Sequence, residues 1–176
     1  EYGVFKGDGS VAGETEEEIF ELLGLSFIEP ELRENRGEIE AAEKNELPKL
    51  VKAEDILGDL HCHTDETDGS FPLEKMVKAA YDKGYKYLAI SDHSKAVTVA
   101  KGLNQKRLEK QIEKIDELQE KYKDFKILKA IEVDILKDGS LDLSNDVLKK
   151  LDFTVCSVHS EFRLSRDRQT ERIIKA

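Results

Sequence analysis

Four short apolar runs, at residues 56–60, 86–91, 126–133 and 153–158, alternate with stretches whose apolar residues recur at helical spacing. Strand–helix alternation of this kind predicts a parallel sheet covered by helices, because parallel neighbours need a long crossover between them. The helical stretches carry their own punctuation. Leu73, Met76, Val77, Ala80 and Tyr81 form an i, i+3, i+4, i+7, i+8 stripe, with Pro72 at its start and Gly84 past its end. A longer helix is expected from about Asn104 to Tyr122 through Leu108, Ile112, Ile115 and Leu118, and reads as an amphipathic cover. A shorter one starts at Ser144, and a last one around 166–176 holds an apolar pair, Ile173 and Ile174.

Ahead of Ile56 the pattern differs. A glycine-rich turn region, Gly3 to Gly13, leads into Thr15-Glu16-Glu17-Glu18 and then Ile19, Phe20, Leu22 and Leu23. Thr15 with Glu18 has the form of a capping box, the acidic first turn suits the helix dipole, and Gly24 can end the helix. Residues 29–47 carry seven Asp/Glu with few large apolar residues and read as an exposed connector. The chain starts at Glu1 and its only methionine is Met76, so it is expected to be processed or cut from a longer protein.

Charge and composition exclude some roles. With 28 Lys+Arg against 38 Asp+Glu, a net −10, the chain is no basic module that holds nucleic acid by charge alone. That balance leaves room for an enzyme reaching phosphodiesters through bound cations. No stretch approaches the roughly 18–20 apolar residues of a transmembrane helix, and no apolar signal block opens the chain. Two cysteines, Cys62 and Cys156, suit a reducing, cytoplasmic setting without a disulfide framework.

All four histidines fall at the ends of predicted strands: His61 and His63 on the first, His93 on the second, His159 on the fourth, with Glu132 closing the third. In a parallel β/α array these ends converge on one face. His61 and His63, at i and i+2, point to the same side, and Asp68 follows on the overhanging loop. Imidazole with carboxylate suits Zn, Mn or Fe rather than Ca or bare Mg. A bridging carboxylate such as Glu132 is what two cations about 3.5–4 Å apart would need. Cys62, pointing away from its flanking histidines, reads as a small buried hydrophobe, and Cys156, mid-strand, reads the same way. Asp92 and Asp134 fit either ligand orientation or turn roles. Lys95, Lys101 and Arg163, near motif ends, fit either phosphate contact or plain solvation.

The segments GDLHCHTDETDGS, LAISDHS, AIEVDILKDGSLDL and DFTVCSVHS resemble, in combination, the polymerase-and-histidinol-phosphatase (PHP) domain of bacterial and archaeal family X DNA polymerases. Residues 3–35, GVFKGDGSVAGETEEEIFELLGLSFIEPELREN, look like the end of the polymerase thumb. The resemblance implies an α/β fold, a distorted TIM-like (βα)7 barrel, here incomplete and preceded by a small α+β thumb fragment. It implies a thumb end over 1–40, a linker over 41–55 and the N-terminal portion of the PHP domain over 56–176. It also implies up to three divalent cations, Mn or Zn, on His61, His63, Asp68, His93, Glu132 and His159. Of these, His61, His63, Glu132 and His159 are implied to be catalytic, in metal-assisted 3′–5′ exonuclease action and trimming of DNA 3′ ends during repair.

Departures from the family shape the remaining expectations. Three further family ligands, a histidine and an Asp-x-His pair, would come from later strands, and no Asp-x-Asp of a polymerase palm occurs. The chain is therefore expected to be a piece of a longer polymerase, weakly active alone, that meets DNA through the whole protein and not a membrane. A barrel left open is also expected to self-associate through an unpaired edge. Two alternatives remain: a small-molecule phosphatase of the histidinol-phosphate type, and a non-catalytic structural domain.

Overall fold

The computed structural model describes residues 3–176, so Glu1 and Tyr2, the first residues of the expected thumb segment, lie outside the described part. The chain divides into two compact units, one up to Lys52 and one from Ala53 onward.

In the first unit, β1 (Val4–Lys6) and β2 (Gly9–Ala12) form an antiparallel hairpin, followed by α1 (Glu16–Leu22) and α2 (Glu38–Lys44). The helix starts at α1 follow the capping chemistry read in the sequence. Thr15 Oγ1 accepts from the Glu18 N–H at 3.4 Å, while the Glu18 carboxylate reaches back to the Gly13 and Glu14 N–H groups. Gly24, at φ +74°, closes the helix: its N–H donates to Glu21 and the Leu25 N–H to Phe20, a Schellman pair. The reading of residues 29–47 as an exposed connector is corrected. It holds a 3₁₀ turn at Pro30–Leu32 and then α2, whose Ala42 is buried. Alanine buries this face, so a search for large apolar residues misses it. The Glu38 carboxylate, accepting from the Asn35 and Arg36 N–H groups, secures the entry.

The second unit runs β3 (Gly58–Cys62), α3 (Leu73–Asp82), β4 (Tyr87–Ile90), α4 (Gln105–Gln119), β5 (Lys126–Lys129), β6 (Glu132–Asp134), α5 (Asn145–Leu148), β7 (Val155–Ser157) and α6 (Arg166–Lys175). The predicted parallel α/β arrangement is present: β3, β4 and β5 form one parallel sheet in that order, and β6 pairs parallel with β7. Both sheets are open among the described residues.

The third apolar run, expected as one strand, is two. The Ala130 N–H still donates to Ile90, but the Glu132 N–H meets both the Ser91 and Asp92 carbonyls, and Val155 pairs with Ile131. The register against the β4 chain is kept, with Ile90 opposite Lys129 and His93 opposite Glu132, while from Glu132 onward the chain pairs with β7. Glu132 consequently opens β6 instead of closing β5.

α3 buries Leu73, Val77 and Ala80 against Leu88, Ile90 and Ile127, and α4 adds Ile115 and Leu118 to the same cluster. The N-terminal half of α4 inserts Leu108 and Ile112 into a second cluster with Leu103, Ile131, Val133 and Val147. One helix thus bolts both sheets, each fully buried aliphatic contributing roughly 1.5–3 kcal/mol. In α6 the expected apolar pair is exposed, Ile173 at 56% and Ile174 at 80%, and the buried side chain is Arg172. Its guanidinium donates to the Ile135 and Ser160 carbonyls, which satisfies it without a carboxylate partner. Cys62 packs against the first core cluster, as expected. Cys156 is exposed, contrary to expectation, on β7, an outer strand of the two-stranded β6–β7 sheet among the described residues. No helix of the described residues is long and apolar enough to cross a membrane.

Candidate metal centre

Parallel pairing puts the C-terminal ends of β3, β4 and β7 beside the start of β6, and the four histidines meet there around Glu132. Glu132 Oε2 lies 3.4 Å from His61 Nε2, 3.2 Å from His63 Nε2 and 3.0 Å from His93 Nδ1. Its Oε1 lies 3.3 Å from His159 Nε2 and accepts the Ser157 hydroxyl at 2.6 Å. Asp68 comes from the loop: Oδ1 is 2.8 Å from His63 Nδ1 and Oδ2 is 3.3 Å from His93 Nε2. All six residues singled out in the sequence are therefore together.

They form three overlapping sets, His61–His63–Glu132, His63–Asp68–His93 and His93–Glu132–His159, each with its donor atoms within 4.8 Å of one another. His63, His93 and Glu132 each serve two sets, the arrangement that adjacent cations sharing ligands require.

Hydrogen bonding alone does not satisfy this cluster. A neutral imidazole has one donor nitrogen and one acceptor nitrogen. Here the His61 and His63 Nε2 atoms face each other at 3.1 Å while both also face Glu132 Oε2. The buried Nδ1 of His93 is close to Glu132, but the oxygen lies off the ring's bonding direction, so that nitrogen has no hydrogen-bond partner. Lone pairs converging at this spacing, with an orphaned buried nitrogen among them, fit a divalent cation.

The carboxylates are ionised acceptors. Burial would raise Glu132, but the Ser157 hydroxyl and the facing His93, His159 and His61 outweigh it and hold the carboxyl below its usual range. Asp68 is likewise lowered: burial works against it, and the hydrogen bond from His63 with the nearby His93 prevails.

Outer contacts set the ring orientations. Asp134, nearly fully buried, accepts from the His159 backbone N–H at 3.1 Å and faces its Nδ1 at 2.9 Å, which leaves Nε2 for Glu132. Asp92 instead takes hydrogen bonds from the Thr64 N–H, the Thr64 and Thr67 hydroxyls and the Gln111 amide. Two glycines permit close passage of backbone. A Cβ on Gly69 would lie 2.3 Å from the His63 carbonyl oxygen, and one on Gly102 would lie 1.9 Å from that of Ser94.

Lys95, Lys101 and Arg163 are exposed and belong to none of the three sets. Sequence reading missed Ser157, Thr64, Thr67 and Gln111; a lone hydroxyl or amide carries no spacing signal that marks it. A cavity of about 350 Å³ in the first unit, lined by Leu32, Arg36, Ala41 and Pro48 among others, holds no comparable constellation, so concavity does not locate the chemistry.

Comparison with known proteins agrees with this geometry. A family model described as PHP domain matches residues 59–175, and one described as DNA polymerase beta thumb matches residues 1–34. The chain is 42% identical over 148 residues to the DNA polymerase/3'-5' exonuclease PolX of Bacillus subtilis (strain 168), covering 84% of this chain and 26% of that protein. It is 33% identical over 127 residues to a probable phosphatase of Thermoanaerobacter sp. (strain X514), covering 67% of this chain and 48% of the relative. A probable phosphatase of Caldanaerobacter subterraneus is 30% identical over 127 residues, with 46% of its length covered. The chain thus spans about a quarter of the polymerase and about half of each phosphatase. Because the match over residues 59–175 takes in well over half of the sequence and every member of the histidine–carboxylate cluster, the chain belongs to the PHP domain family.

Proposed function

We propose that this chain is part of a family X DNA polymerase and carries its phosphoesterase site, which hydrolyses DNA 3′ ends in 3′–5′ exonuclease action and repair trimming. The observation that carries the reading is Glu132, a buried ionised carboxylate within 3.4 Å of a nitrogen from each of four histidines. His61, His63, Asp68, His93, Glu132 and His159 would hold up to three divalent cations, Mn or Zn on the strength of the mixed nitrogen and oxygen donors. When bound, such cations polarise a phosphate ester and offset the charge that develops on it.

This chain's own residues supply the framework for that chemistry. Glu132 shares its two oxygens between neighbouring sets, and Ser157 fixes the carboxylate plane by donating to Oε1. Asp134 keeps His159 turned toward Glu132. Of the cluster, His61 and Asp68 are the more open members, with side chains 45% and 48% exposed, so a phosphate would enter on their side.

The same reading takes the second unit as a portion of a distorted (βα)7 barrel, with a thumb end before it and a linker near 41–55. DNA is met through the whole protein. The exposed edge strand β3, with Leu60 half exposed, would pair with another copy. A cytoplasmic location suits the two unpaired cysteines.

A second reading, a phosphatase of small phosphomonoesters, draws on the probable phosphatases among the relatives. The thumb match over residues 1–34 favours the polymerase. The deciding experiment uses the longer protein. Mn-dependent release of nucleotides from 3′-recessed DNA is compared with hydrolysis of histidinol phosphate, in the parent and in His93→Ala. Nucleotide release lost in the variant is expected; preferential hydrolysis of the small ester would favour the second reading, and full release by His93→Ala would refute both.

A further inference from the structure

α4 presents Arg107, Gln111 and Lys114 at i, i+4 and i+7; Arg107 and Lys114 engage Glu66 in the loop that follows β3, and Gln111 engages Asp92 after β4, to which that loop also bonds. The Gln111 amide donates to Asp92 Oδ2 at 2.6 Å. That carboxylate also accepts from the Thr64 N–H at 2.8 Å, the Thr64 hydroxyl at 2.6 Å and the Thr67 hydroxyl. Lys114 pairs with the Glu66 carboxylate at 2.9 Å. Arg107 donates to the Glu66 carbonyl with one arm and to the Lys101 and Gly102 carbonyls with the other.

A covering helix does not require this. Gln111 is 3% exposed with its Oε1 unpartnered, and Asp92 is fully buried; polar groups at such positions cost stability unless fully partnered. The segment they grip, residues 64–67, ends at Asp68, whose oxygens face His63 and His93. The second segment held by Arg107 is reached from His93 itself, whose carbonyl accepts the Leu103 N–H. None of the three α4 side chains belongs to the ligand sets.

We propose that Arg107 is a positioning residue for Asp68: its guanidinium ties the loop carrying Asp68 to the segment anchored on His93, while Gln111 locks Asp92 beneath. The inference rests on the metal reading above. A planar fork spans two loops where a single ammonium cannot, so lysine is not an equivalent replacement. Charge and position predict opposite signs. Removing a nearby cation would by Coulomb's law tighten metal binding, whereas releasing Asp68 weakens it.

The test is Mn titration of the 176-residue chain by calorimetry, with the Mn electron paramagnetic resonance signal as a second readout. Compared are the parent, Arg107→Ala, Arg107→Lys, Asp68→Ala and the Asp68→Ala/Arg107→Ala double variant. Arg107→Ala and Arg107→Lys should each weaken Mn binding about 10–100-fold, as loss of outer-shell support does. In the Asp68→Ala background Arg107→Ala should add no more than ~2-fold, since both changes remove one contribution. Unchanged or tighter binding by Arg107→Ala, or the same loss with and without Asp68, would overturn the assignment. Absence of Mn binding in the parent would instead overturn the metal centre, and the positioning role with it. Should circular dichroism show Arg107→Ala unfolded, Arg107→Lys and Gln111→Leu carry the same comparison.

Discussion

Cys62 and Cys156 differ only in surroundings, and that difference sets their chemistry. Burial, with the charges of Asp59 and Asp92 adding to it, pushes the Cys62 thiol up from the ordinary 9.0 to about 12, and the thiol donates to the Ala89 carbonyl. Cys156 is exposed. A thiol reagent at pH 8 should therefore modify one cysteine quickly, with Cys156→Ser abolishing that phase and Cys62 reacting only on unfolding. A fast phase surviving in Cys156→Ser would contradict the assignment. The linkage follows the same shift: between pH 9 and 12 the folded chain keeps a proton that the unfolded chain has lost. The contribution of Cys62 is thus complete below pH 9 and lost as pH rises toward 12, and a Cys62→Ala variant should show a shallower alkaline fall in Tm. The exposure of Cys156 was not legible from the sequence, because the position of β7 at a sheet edge is a property of the assembled sheets.

At the scale of elements, end signals were legible and weak ones were not. Thr15, Glu18 and Gly24 announce α1, and Gly84 announces the end of α3; each acts through backbone groups a few residues away. α2 escaped notice because its buried contact is the methyl group of Ala42. The α1 cap makes a quantitative expectation. Thr15→Ala should destabilise the first unit by about 1 kcal/mol. Hydrogen bonds from the Gly13 and Glu14 N–H groups lower the Glu18 carboxyl below 4.5 in the folded chain. Its contribution is therefore present above pH 4.5 and lost as pH falls through the folded value. Amide exchange across α1, followed from neutral to acid pH, should quicken in the parent and show little of that pH dependence in Glu18→Gln. Parallel curves for the two proteins would mean that Glu18 does not cap.

For the whole molecule, the division at Lys52 and Ala53 gives the clearest expectation. Residues 46–52 form no regular element, and Pro48, Lys49 and Val51 are exposed. Backbone of this kind is where proteases cut first. Limited trypsinolysis should cleave after Lys49 or Lys52 and leave a C-terminal piece that unfolds cooperatively and keeps its Mn affinity. First cuts after Lys95 or Lys101 would show that the clamp from α4 is loose. Residues 29–47, an exposed connector by composition, instead hold a helix that belongs to the first unit.

The sequence by itself determined the alternation of strands and helices, their capped ends and the meeting of His61, His63, His93 and His159. Periodicity and caps act over one or two turns, and parallel pairing then forces equivalent strand ends together whatever the details of packing. Only the tertiary structure decided that Glu132 begins a new strand paired with β7, that Ser157 and Asp134 orient the cluster, that α6 buries Arg172, and that α4 grips the Asp68 loop. Those contacts join residues about 20–50 positions apart in the chain. A polar side chain satisfied at that distance leaves no local mark in the sequence, since its partner is chosen by how separate elements pack and not by its neighbours in the chain.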